Sequence, residues 1–77
     1  MRKKIFFAES DILIKILLLV KNGLSKKDIA NELSISDQRL RIYTAKLADS
    51  DLIRYETELN RYIVTDSGHK YIKENEK

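Results

Sequence analysis

The apolar positions of this chain change their period twice. Between Ile12 and Val20 only Lys15 interrupts an apolar run. At 100° per residue, Ile12, Leu13, Ile16, Leu17, Leu19 and Val20 cover a wide arc, and Ile14 and Leu18, four apart, widen it. A surface helix needs one stripe, so the pattern predicts a helix over 11–22 that is buried on more than one side. Ser10 stands where an N-cap would stand, Asp11 complements the positive end of the helix dipole, and Gly23 after Lys21 offers the left-handed residue that closes a helix. A second helix is predicted over 26–33, with Ile29, Ala30 and Leu33 inward. Ser25 and Asp28 there form a short-armed capping box. "SIS" (34–36) reads as a tight turn in which Ile35 is a buried anchor and Ser36 caps a third helix over 37–49. On that helix Leu40, Tyr43, Thr44 and Leu47 share one face. The opposite face is centred on Gln38, Ile42, Ala45 and Asp49. Arg41 flanks it on one side, Arg39 and Lys46 on the other.

Beyond residue 49 the helical period ends. "LIRYE" (52–56) and "RYIVT" (61–65) are rich in β-branched and aromatic residues and read as two strands. "TELN" joins them, and Asn60 tolerates a left-handed conformation. The last helix, over 66–75, takes Thr65 as its cap and turns Gly68, Tyr71 and Ile72 toward the body. The expected class is α+β, mostly α, in the form of a winged helix-turn-helix: a three-helix core, a two-stranded hairpin wing and a C-terminal helix. The 77 residues make one domain, with 1–9 an N-terminal extension and 10–75 the core.

Composition narrows the function classes. Hydrophobic residues make up 43% and charged residues 35%, too apolar for a disordered chain. There is no cysteine and one histidine, which excludes disulfides and leaves no set of zinc ligands. No cofactor is expected. The longest apolar run is half of what a membrane span needs, and "MRKKIFFAESD" lacks the apolar region and cleavage site of a signal peptide, so a cytoplasmic location is expected. A chain this short is marginal alone, which favours a partner subunit. The charge is unevenly spread. Residues 1–48 hold 10 Lys/Arg against 5 Asp/Glu, whereas residues 49–77 hold 5 against 7. The positive field therefore sits on the first two thirds.

Two stretches resemble a known family. "LSKKDIANELSISDQRLRIYTAKLADSDLI" is similar to the helix-turn-helix of MarR/ArsR-type winged-helix regulators, and "YIVTDSGHKYI" resembles their passage from the second wing strand into the next helix through Thr-x-x-Gly. The likeness is greatest to small archaeal winged-helix proteins and covers about residues 10–75. The resemblance implies binding of double-stranded DNA as a homodimer and a role in transcription or chromatin. Asp51 departs from it, standing where the family usually has glycine, which implies a different exit from the third helix. Glu56 and Glu58 stand where wings are commonly basic.

The chemistry of a groove-reading helix assigns the rest. A major groove about 12 Å wide admits one helix. Such a helix needs a face without bulk, polar tips for base edges and flanking cations for phosphates. Gln38, Arg39, Arg41 and Ile42 are the expected base contacts: amide to adenine, guanidinium to guanine, methyl to methyl. Lys26, Lys27, Ser36, Lys46, Arg54 and Arg61 are the expected backbone contacts. Ile5, Phe6 and Phe7, with Ile14 and Leu18, exceed what one small core needs and are expected to meet a second copy. A protein-assembly module and a weakly specific DNA-coating protein are the alternative functions. The tyrosines at 43, 55, 62 and 71 read as packing residues. "TDSGH" gathers Asp66, Ser67 and His69, but no pocket is foreseen around it; no enzyme activity, small-molecule ligand or membrane partner is expected.

Overall fold

A computed structural model describes residues 9–75. Along the chain run α1 (Glu9–Lys21), α2 (Lys26–Leu33), α3 (Asp37–Asp49), β1 (Ile53–Glu56), β2 (Arg61–Val64) and α4 (Asp66–Asn75). The protein is α+β and mostly helical, with four helices and one two-stranded antiparallel sheet among the described residues. That order is compatible with a winged helix.

The first helix carries the centre of the core. Ile16, Leu17 and Val20 are buried, and Ile12, Leu13, Ile14, Leu18 and Leu19 pack against the same cluster while half-exposed. Ile29 and Ala30 of α2, Leu40 and Leu47 of α3, Ile53 of β1 and Ile72 of α4 complete it. One local expectation is corrected. The helix begins at Glu9, so Ser10 lies inside it rather than capping it. The apolar run marks where burial begins, and the helix extends beyond that point.

The first three helices end in one way. After α1, Gly23 takes φ +88°, its N–H donates to Val20 O, and the N–H of Leu24 reaches back to Leu19 O. Ser34 repeats this after α2 at φ 56°, with Ile35 N–H on Ala30 O. Asp51 repeats it after α3 at φ 64°, with Leu52 N–H on Leu47 O. These paired bonds satisfy the last carbonyls of a helix and turn the chain sharply. Asp51 thus adopts the left-handed geometry that glycine would adopt, and the different exit expected from its identity is not found.

The helix starts follow the capping signals. Ser25 Oγ accepts from Asp28 N, and Ser36 Oγ accepts from Arg39 N at 3.1 Å. Replacing Ser36 by alanine orphans that amide and should cost about 1 kcal/mol of stability, read as a lowered urea midpoint. Thr65 does more than cap α4. Its hydroxyl accepts from Gly68 N and donates to Asp51 O, while its amide donates to Leu52 O. One threonine therefore binds the α3 exit to the start of α4.

The strands pair Ile53 with Val64, Arg54 with Ile63, Tyr55 with Tyr62 and Glu56 with Arg61. Each is one residue shorter than the apolar pattern suggests. Asn60 closes the loop at φ 56°, as its position predicts. Its Oδ1 accepts from the Tyr55 hydroxyl, which ties the loop to the sheet.

Candidate nucleic-acid interface

Helix α3 is sorted by burial as its 3.6-residue period requires. Leu40, Thr44 and Leu47 are buried and Tyr43 is half-buried. The Thr44 hydroxyl, the one polar group deep in this face, donates to Arg41 O one turn back. On the other side Gln38, Arg39, Arg41, Ile42, Ala45 and Lys46 are all exposed. Ile42 is 55% exposed, a branched apolar residue in open solvent among charged neighbours. Ala45, one turn on, leaves the centre of the face low.

The two arginines of this face are held differently. Arg39 Nη2 donates to the Tyr43 hydroxyl at 3.1 Å, and its guanidinium lies 6.0 Å from the centre of that ring. Tyr43 spans the core and the rim and so limits the directions Arg39 takes. The signal was legible: an arginine and an aromatic four apart on one helix are neighbours. Arg41 instead opens onto a cleft of about 370 Å³ between α2, α3 and the hairpin. Lys26, Lys27 and Arg41 make its rim cationic, Asp37 adds one acid, and Leu40 and Tyr62 contribute apolar surface. Nothing in the sequence signalled this cleft, because its walls come from segments far apart along the chain.

The expected backbone contacts divide into groups. Lys27 is exposed at the mouth of the cleft, and Lys46 is exposed on the far flank of α3. Ser36 engages its oxygen in the α3 cap. Arg54 is ion-paired with Glu56: Nη2 stands 2.9 Å and Nε 3.0 Å from the same Oε2. Exposed pairs of this kind add less than about 1 kcal/mol to stability, but this one cancels the charge of β1. Arg61 is half-buried, and its Nη1 donates to Gly23 O at 3.3 Å. Lys26 leans on the rings of Tyr55 and Tyr62. These last three, expected at a DNA backbone, each make a contact within the protein. The acidic character expected of the hairpin is reduced to Glu58, exposed in its loop beside Leu59, which is 55% exposed.

Of the residues expected to meet a second copy, Ile14 and Leu18 lie on one face of α1, half-exposed. Ile5, Phe6 and Phe7 fall outside the described residues. Among the described residues no group of His, Asp and Glu is arranged to hold a metal ion, and no helix is long and apolar enough to cross a membrane.

The chain matches no protein-family model, no curated protein and no solved structure. The motifs quoted above and the arrangement of α3 therefore carry the functional reading.

Proposed function

We propose that this chain is a winged helix-turn-helix protein that binds double-stranded DNA and regulates transcription, probing the major groove with α3 and working as a homodimer. One observation carries the reading. The segment Asp37–Asp49 buries one face and leaves the other slim and open, with Gln38, Ile42 and Ala45 at its centre and cations on both flanks. An α-helix with such a face fits a groove about 12 Å wide, and amide and guanidinium tips match adenine and guanine edges. Gln38, Arg39, Arg41 and Ile42 read bases in this scheme, and Lys27 and Lys46 hold phosphates. The capped, amide-rich start of α3 adds attraction for a phosphate. Ile14 and Leu18, with Ile5, Phe6 and Phe7, form the contact between copies, which two-fold-related half-sites would match.

Titration against a labelled duplex at rising salt tests the class of function. Affinity should fall steeply, with a log–log slope of several units, because phosphate contacts release counterions. A flat response would sink the DNA reading. Glu58 provides an internal control. Neutralising it removes an exposed anion without touching α3, so Glu58→Ala should bind DNA as well as the parent or better. Strong loss of binding on this change would put the hairpin, not α3, at the centre of recognition.

A second reading rests on Ile42 and on the Arg54–Glu56 pair. An exposed isoleucine on α3 and a hairpin of low net charge suit a protein partner as well as a thymine methyl. Such an assembly module would show neither salt-sensitive nor sequence-selective binding to DNA.

A further inference from the structure

We propose that Lys26 and Arg61 are positioning residues, which clasp the hairpin to the start of α2 and so set the gap between hairpin and recognition helix. The clasp itself stands on the fold, and only its consequence for DNA rests on the function proposed above.

Two independent contacts join the same two parts of the molecule. The first is cationic and aromatic. Tyr55 and Tyr62 are register partners on adjacent strands, packed edge to face with centroids 5.1 Å apart and planes at 77°. The Lys26 ammonium lies 5.4 Å from the Tyr55 centroid and 6.0 Å from that of Tyr62. Both distances are within the reach of a cation on an aromatic face. Tyr55 is further held because its hydroxyl donates to Asn60 Oδ1, so the ring offers a fixed platform.

The second contact is a hydrogen bond across 38 residues of sequence. Arg61, at the start of β2, sends Nη1 to the carbonyl of Gly23 in the α1–α2 turn. Its Nε is enclosed, away from solvent, with no hydrogen-bond partner. Gly23 makes room for this arrangement: a Cβ there would stand 3.2 Å from Nη1. The left-handed glycine that ends α1 thus also opens the seat for the guanidinium.

Residues 23–26 are in this way bound to residues 55–62 twice, on the side of the hairpin that walls the cleft beside Arg41. Ile53 and Val64 anchor the base of the hairpin to the core, and these two contacts hold it nearer its loop end, where a two-stranded ribbon is otherwise weakly held. Charges on this surface therefore divide by role. Lys26, Lys27 and Arg41 are all exposed, but Lys26 also rests on the hairpin's rings and, with Arg61, fixes the wall opposite Arg41.

The test separates a phosphate contact from a positioning role with variants of the full chain. Lys26→Gln removes the cation, Lys26→Arg restores one, and Lys27→Gln is the neighbouring control. Without DNA, amide exchange of Ile53–Glu56 and Arg61–Val64 should quicken roughly two- to five-fold in K26Q, return in K26R and stay unchanged in K27Q. Arg61→Met should act as K26Q does. With a duplex, the slope of log affinity against log salt should fall by about 0.9 in K27Q and hold its value in K26Q. Unaltered hairpin exchange in K26Q and R61M would overturn the proposal, as would a slope lowered equally by K26Q and K27Q. Should the parent chain bind no duplex at all, the DNA function falls, and the exchange measurements still decide the clasp.

Discussion

Gly68→Ala is expected to destabilise the fold strongly. Gly68 is buried in the first turn of α4, against the segment that leads from α3 into β1. A methyl group built there would overlap the Leu52 carbonyl oxygen and stand 2.6 Å from Val64 Cγ1. The obstacle is backbone, which cannot turn aside as a side chain can. Leu52 O is moreover held in place by the amide of Thr65. Relief requires α4 to lift, which uncovers Ile72 and breaks the Thr65 bonds to Asp51 and Gly68. The penalty should be about 3 kcal/mol, at the upper end for overpacking, and in a domain this small it lowers the melting temperature by roughly 10–20 °C. Ser67→Ala, one residue away and exposed, should leave the melting temperature within a degree or two. An alanine at 68 with parental stability would mean that α4 does not pack on Leu52 as described.

The second large effect concerns binding. Arg41→Ala should weaken binding to a specific duplex by about 1–3 kcal/mol and relax the choice of base at one position in each half-site. Arg41 rises from the flank of α3 beside the cleft, and its loss leaves the core face of Leu40, Thr44 and Leu47 intact. Stability should therefore be unchanged, which separates this variant from Gly68→Ala. Lys27→Ala should weaken all sequences alike, because a phosphate contact orients without reading. Fluorescence anisotropy on a matched and a mismatched duplex distinguishes the two. Equal loss on both duplexes in R41A would move Arg41 from the bases to the backbone.

These effects trace to parts of the molecule that differed in how far a linear sequence reveals them. Signals that act over three or four residues were readable. Ser25, Ser36 and Thr65 cap helices, Gly23 and Asn60 take left-handed conformations, and the two faces of α3 fall where its period puts them. Ser10 misled because burial and helicity begin at different residues. Ser34 and Asp51 show another limit. Small polar side chains enter the left-handed region at modest cost, so the absence of glycine does not exclude the turn. Partners distant in sequence were out of reach. Arg54 and Glu56 lie two apart on one face of a strand, and a period-2 argument would have paired them. Lys26 with Tyr55, Arg61 with Gly23, and the cleft between α2, α3 and β2 depend on how the hairpin folds back onto the helices, which no local pattern encodes. The open face of α3 was thus legible before its surroundings, and the contacts that Lys26, Arg54 and Arg61 make within the protein were not.

Selection of bound duplexes from a random pool, run in parallel on the parent chain and on the Arg39→Ala/Arg41→Ala variant, tests whether the exposed face of α3 reads a groove as proposed, without assuming any target. The parent should enrich one two-fold-symmetric sequence with a purine-rich half-site, and the variant, still folded, should enrich none. No enrichment by the parent, or the same sequence from both proteins, would contradict recognition through Asp37–Asp49.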